Sequence, residues 1–262
     1  MLTDRQISHF QALGLLILRG AFSKAETGEL IDETERLYRR ILGREPREDE
    51  VIWEPEFVER SEQLTGLIDD ERIHEAARDL IGDRFLWVGS EGMRGVDRNG
   101  PVHHWHTDGD ESRVKLTSRR LKIMLYLDPL TRDNGAIRVI PGSHRAPLFD
   151  TLLPFQKEHT RESPRFFGLQ GQDVPGCAVE TAPGDIVILN PWIFHSVYGK
   201  VGKRRTIVLK FAGRPRTAGE LAELGKSPGI FRPHRALLES RNPRIRGMFD
   251  DLTALEKRAA AV

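Results

Sequence analysis

The chain has 262 residues and a mass of 29.8 kDa, with 39% hydrophobic and 30% charged residues and a mean hydropathy of −0.44. That balance gives enough length and apolar content for a real core, and excludes both a membrane protein and a largely disordered chain. Forty basic against 39 acidic side chains leave a net charge of +1, so no global charge drives binding to nucleic acid or a membrane surface.

The first elements are announced by two capping boxes, Thr3-x-x-Gln6 and Ser23-x-x-Glu26, each predicting a helix start. Between them, Leu13 to Leu18 forms a short apolar run with strand character. The second helix carries Leu30, Ile31, Leu37, Tyr38 and Ile41 along one face and stops at Gly43. Residues 44–63 are acidic, contain Pro46 and Pro55, and are predicted as a surface loop. A third helix is expected over Glu71 to Ile81, closing on Gly82.

From Phe85 the texture changes to short β runs: Phe85 to Val88, Val102 to Asp108, Leu121 to Leu127, Ala136 to Ile140, Ala178 to Thr181, Asp185 to Leu189 and Thr206 to Phe211. Tight turns are marked by Asn134-Gly135, Pro141-Gly142 and Pro183-Gly184-Asp185. Many short strands after a helical start predict a mainly β fold with flanking helices, a jelly-roll barrel. We expect a single domain over 1–262, with helical support in 1–84, the jelly roll in 85–213 and a C-terminal extension in 214–262. That extension is irregular by its sequence until a helix from Asp250 to Ala261. It is also basic, with 14 Lys/Arg against six Asp/Glu in residues 201–262, while residues 1–100 carry 14 against 22.

The lone cysteine, Cys177, rules out an intrachain disulfide and a thiolate zinc site and fits a reducing compartment, so a cytoplasmic location is expected. No basic leader precedes the first helix, and no targeting segment is expected.

The densest group of ligand-type side chains is His103-His104-Trp105-His106-Thr107-Asp108. Residues two apart on a strand share a face, so His106 and Asp108 point the same way, with an imidazole and a carboxylate available to one ion. About one His-x-acid pair is expected by chance from nine histidines and 39 acidic residues, so this pair needs a third ligand to mean anything. His195 is the candidate, after the apolar run Asp185 to Leu189 and its following turn. Two histidines and one carboxylate on iron leave open positions for a co-substrate and dioxygen. The alternative is three unrelated side chains.

Lys122 alternates with Met124 and Tyr126, so if that face lines the barrel its ammonium needs an anion, a carboxylate of a co-substrate or substrate. His104 shares the face of His106. His144 is read as a turn residue. Trp105, Trp192 and Phe194 are read as packing groups, the alternative being that one or two line the substrate pocket.

The runs Trp105-His106-Thr107-Asp108, Leu127-Asp128-Pro129, Asn134 through His144, and Pro183-Gly184-Asp185 up to His195 resemble the phytanoyl-CoA dioxygenase family of Fe(II)- and 2-oxoglutarate-dependent oxygenases. The opening helix, strand and Ser23-capped helix resemble its N-terminal segment, and the likeness covers roughly residues 3–212. It implies a double-stranded β-helix (jelly-roll, cupin-like barrel) in which His106, Asp108 and His195 hold iron. It further implies 2-oxoglutarate and O2 as co-substrates, and an arginine after the distal histidine that anchors the far carboxylate of 2-oxoglutarate. Arg204 and Arg205 both qualify. Phe211 lies seven residues beyond Arg204, matching the family pattern, and alternation sets Thr206 on the face of Arg204 and Arg205 on the other, so Arg204 is expected.

The sequence departs from the family in placing Ser196 directly after the distal histidine and in the short stretch Gly199 to Gly202. A carboxylate at position 108 favours hydroxylation over halogenation. The activity implied is hydroxylation of an aliphatic C–H of a small, anionic metabolite, with release of succinate and CO2. The basic tail, with Arg232-Pro-His-Arg235 and Arg241-Asn-Pro-Arg-Ile-Arg246, is expected to fold over the barrel mouth and suit an anionic substrate. The alternative function is a metal- or ligand-binding barrel without turnover. Partners are small molecules, with neither nucleic acid nor membrane.

Overall fold

A computed structural model describes residues 1–48, 50–95, 103–108, 119–158, 165–199 and 204–261. The predicted strand start at Val102 and the stretch Lys200 to Gly202 lie outside these residues. Both capping boxes form. Thr3 and Ser23 each accept from the third backbone amide of the helix they start, α1 (Asp4–Leu13) and α2 (Lys24–Leu42). Gly14 and Gly43 end the two helices in the left-handed conformation, at φ 79° and 67°. Next come α3 (Glu62–Thr65) and α4 (Glu71–Ile81), the latter closing on Gly82 as predicted.

Among the described residues twelve strands follow one another: β1 (Leu15–Leu18), β2 (Ile52–Pro55), β3 (Phe85–Arg94), β4 (His103–His106), β5 (Arg120–Tyr126), β6 (Asn134–Val139), β7 (Arg165–Phe166), β8 (Leu169–Gln170), β9 (Cys177–Val179), β10 (Ile186–Leu189), β11 (His195–Gly199) and β12 (Thr206–Gly213). One sheet has the order β1-β10-β5-β12-β3-β2 and a second has β4-β11-β6-β9, with every pairing antiparallel.

Period-two alternation sorts the side chains of the larger sheet onto two surfaces. Leu15, Met124, Tyr126, Val187, Leu189 and Val208 face Ile137, Val139, Val179 and Val197 of the smaller sheet and fill the barrel. The intervening Leu16, Ile123, Leu125, Ile188, Ile207 and Leu209 pack outward against Leu37 and Tyr38 of α2 and Ile73 and Ala77 of α4. A strand buried on both faces reads as a continuous apolar run, which is why Ile186 to Leu189 is wholly hydrophobic. A helix α5 (Leu148–Glu158) lies in a third cluster, where Phe149 and Leu152 meet Trp105, Trp192 and Phe194. The packing role expected of those three aromatic residues matches their position.

Two segments differ from expectation. Residues 44–63 are not all loop: Ile52–Pro55 adds an edge strand to β3, and Phe57 and Val58 are buried in the core. The extension after Gly213 is not irregular ahead of its expected last helix, for it forms α6 (Ala218–Gly225), α7 (Arg235–Leu238) and α8 (Pro243–Gly247) before α9 (Leu252–Ala259), which falls within the predicted Asp250 to Ala261. Its apolar residues are too sparse for a clear helical period, and packing supplies what the pattern lacks: Leu237, Ile245 and Met248 join the helical side of the core. No helix among the described residues is long and apolar enough to cross a membrane.

The turn before β10 shows how one carboxylate fixes strand order. Asp185 accepts from the amides of Gly20 (2.8 Å) and Ala182 (2.9 Å) and from Arg19 (2.7 Å), tying the end of β1 to the start of β10. Burial alone raises its pKa, but these donors outweigh burial and hold it below the ordinary carboxylate value. A depressed carboxyl contributes stability above its unfolded pKa and loses it as pH falls through the folded one. Asp185→Ala is therefore expected to cost about 2–3 kcal/mol near neutral pH. The mutant deficit should shrink in urea melts carried out in acid; a deficit equal at both pH values contradicts the assignment.

Candidate metal centre

Trp105 is buried outward against α5, so alternation along β4 turns His104 and His106 to the interior. His106 pairs in register with His195 at the start of β11, and Val197 in the barrel core places His195 on the interior face too. Asp108 follows β4 and is pinned by its amide, which donates to the Pro191 carbonyl at 2.9 Å. One ligand atom from each of His106, Asp108 and His195 lies within 4.8 Å of the other two. Nε2 of His106 is 3.8 Å, and Nε2 of His195 3.5 Å, from Asp108 Oδ1.

The other ring nitrogens fix the tautomers. Nδ1 of His106 is 2.5 Å from the His104 carbonyl, and Nδ1 of His195 is 2.9 Å from the Ile193 carbonyl. A carbonyl only accepts, so each Nδ1 carries the proton and each Nε2 lone pair is directed toward Asp108. His104 thus serves through its backbone.

Lys122 points into the same space, and its anion is Asp108 itself, with Nζ 2.7 Å from Oδ2. Burial raises the Asp108 pKa, but the Lys122 ammonium beside it outweighs burial and holds the carboxyl well below the usual range. Burial likewise disfavours the charged Lys122, and Asp108 more than compensates, raising its pKa. The expected co-substrate contact of Lys122 is therefore occupied by a protein carboxylate here.

The two candidate arginines part company. Arg205 faces outward and clamps Asp128, with Nε at 2.9 Å and Nη2 at 2.5 Å, and reaches Glu35 of α2 at 3.2 Å. Arg204 is 4% exposed, donates from Nε to the Gly135 carbonyl at 2.9 Å, and sits 5.7 Å from the Tyr126 ring centre. Among the described residues no carboxylate pairs with it. Thr206 is buried beside Tyr126, its hydroxyl without a hydrogen-bond partner.

The mouth of the barrel is a cavity of about 350 Å³ beside Asp108, lined also by Lys122, Glu91, Lys210 and Arg120. The last three escaped the sequence reading. Parity could have found them, since Arg120 lies two residues before Lys122, and Lys210 four residues after Thr206, on the same faces. Glu91 and Lys210 form an ion pair across β3 and β12.

The tail does not place Arg244 and Arg246 at this mouth. Arg244 pairs with Asp69 at 3.6 Å and Arg246 donates to the Ser240 carbonyl, because α8 packs on the helical side of the sheet. Arg232 and His234 instead line a neighbouring cavity that shares Val88, Glu91 and Lys210 with the mouth. His144 packs against the end of α1 and meets the Gln11 carbonyl, as a turn residue does.

Two facing antiparallel sheets with a His-Asp-His cluster at one end define a double-stranded β-helix carrying a site of the two-histidine, one-carboxylate type. The chain belongs to the phytanoyl-CoA dioxygenase family, whose profile matches residues 10–205. It is 28% identical over 158 residues to the ectoine dioxygenase of Bordetella bronchiseptica, covering 55% of this chain and 50% of that protein. The chain therefore spans about half the length of the curated relatives it matches.

Among solved structures, HygX from Streptomyces hygroscopicus with nickel and 2-oxoglutarate bound superposes with a TM-score of 0.67 at 19% identity, over 81% of this chain and 88% of that one. EctD from S. alaskensis with bound Fe gives a TM-score of 0.58 at 20% identity, over 81% and 77%. Likeness at this identity establishes the fold.

Proposed function

We propose that the chain is an Fe(II)- and 2-oxoglutarate-dependent dioxygenase that hydroxylates an aliphatic C–H of a small metabolite. The observation that carries this reading is the convergence of His106, Asp108 and His195 at the barrel mouth in a chain of this family. Two neutral imidazole nitrogens and one carboxylate oxygen suit a divalent iron, and the carbonyl-fixed tautomers present the required lone pairs. Bound iron, with dioxygen and 2-oxoglutarate, supplies the oxidant, one oxygen atom going to the substrate and one to succinate, with loss of CO2.

The protein's own part is to bind, orient and exclude water. Arg204 holds the 5-carboxylate of 2-oxoglutarate through its guanidinium fork, and the unpartnered Thr206 hydroxyl donates to the same group. A buried guanidinium without a counter-charge is costly, and this anion removes that cost. Met124, Leu189, Val197 and Val208 line the barrel interior with apolar surface that keeps water from the reacting atoms. Relatives named ectoine dioxygenase, and the EctD structure with 2-oxoglutarate and 5-hydroxyectoine, support a small-molecule substrate. The exposed thiol of Cys177 fits a reducing, cytoplasmic setting.

The test is turnover in labelled dioxygen. Succinate should form only with iron and 2-oxoglutarate present and should carry one labelled oxygen atom. Unlabelled succinate, or none with every candidate substrate, contradicts the reading.

A further inference from the structure

Lys122 and Lys210 stand directly opposite each other on β5 and β12, facing the barrel interior. Like charges so placed repel unless each has its own counter-charge. Lys210 has Glu91, and Lys122 has Asp108. Arg120, also lining the mouth, reaches only the Ser227 hydroxyl at 3.4 Å by hydrogen bond and leaves its buried Nε without a partner, although it feels the Glu223 carboxylate.

Asp108 turns Oδ1 to the two imidazoles and Oδ2 to Lys122, so a metal at the cluster would draw on the same carboxylate charge that holds the lysine. One carboxylate does not neutralise both a dication and an ammonium, and an ammonium with side-chain exposure of 16% is costly without an anion. Glu91, the other carboxylate lining the cavity, also acts on Lys122 but is paired with Lys210, so two carboxylates serve Lys122, Lys210 and Arg120 as well as the metal. Among the described residues no further carboxylate lines the cavity, and the 5-carboxylate of 2-oxoglutarate is assigned to Arg204, which precedes β12 at the end opposite Lys210, so the substrate is the remaining source of an anion at the mouth. The remaining walls are apolar: Val88, Leu121, Trp192 and Phe211.

We propose that this cavity is the substrate subsite, and that Lys122, sharing Asp108 with the metal, holds a carboxylate of a substrate with an apolar body. The proposal rests on the dioxygenase reading above and names its substrate class. Metal and substrate carboxylate are then coupled, each tightening the other, because both act on the Lys122–Asp108 pair.

The test compares cyclohexanecarboxylate with its neutral amide, by calorimetry, on protein loaded with Ni(II) and 2-oxoglutarate. The carboxylate is expected to bind at least about tenfold more tightly than the amide, the least a charge-assisted hydrogen bond provides. Without nickel that preference disappears, since Asp108 holds the lysine. Lys122→Met should lose the preference while binding nickel as tightly as the wild type or more so, and Lys122→Arg should restore it. Equal binding of the two probes, no binding of the carboxylate to the loaded protein, or a preference that persists in Lys122→Met overturns the proposal. A protein that binds no nickel overturns the underlying reading as well, so the two failures are distinct.

Discussion

Replacing Asp108 by alanine is expected to weaken divalent-metal binding by at least about a hundredfold, the upper end of what loss of a mere outer-shell partner costs. Asp108 is the only carboxylate in the cluster, and its Oδ1 stands 3.5 and 3.8 Å from the two imidazole nitrogens. The same change strands Lys122 without its counter-charge, so part of any effect could pass through stability. Asp108→Asn separates the two, since an amide oxygen still accepts from Lys122 while the anionic ligand is gone. Equilibrium dialysis with Ni(II) should find both variants equally deficient, although the alanine form, which also loses the hydrogen bond to Lys122, melts at the lower temperature of the two. Affinity within a few-fold of wild type in Asp108→Asn would remove Asp108 from the metal site.

The second large effect is a crossed pair at the two adjacent arginines. Arg204→Leu is expected to lower 2-oxoglutarate affinity by roughly a hundredfold, about 3 kcal/mol, with little loss of stability, because it deletes a buried cation that no carboxylate among the described residues balances. Arg205→Leu should do the reverse. It leaves Asp128, 8% exposed, and Glu35 without their shared cation, at a cost of about 3 kcal/mol in stability, while the folded protein keeps its 2-oxoglutarate affinity. Binding to the metal-loaded protein and urea melts read the two halves of the cross. An Arg205 variant that folds normally but no longer binds 2-oxoglutarate would exchange the roles.

Local signals carried much of this in the sequence. Capping boxes at Thr3 and Ser23 form as read, and the period-two alternation that separates Met124 from Ile123 also sorts Arg204 from Arg205. What alternation cannot say is which charged side chain meets which. Lys122 was legible as an interior cation, but its partner, Asp108, belongs to another sheet and is set by how the two sheets face each other. The Glu91–Lys210 pair lies within one sheet, and it was hidden because alternation does not give the register of β3 against β12. The tail misled because a cluster of arginines looks like an anion site wherever it lies, whereas Ile245 and Met248 fix α8 on the helical side of the sheet.

The most direct test is an anaerobic titration of the metal-free protein with Fe(II) and then 2-oxoglutarate, followed by visible absorption. The account predicts a metal-to-ligand charge-transfer band that needs both additions, is weakened in Arg204→Leu and is absent in Asp108→Ala. Iron that binds with no band on adding 2-oxoglutarate would contradict it and leave a metal-binding barrel that is not an oxygenase.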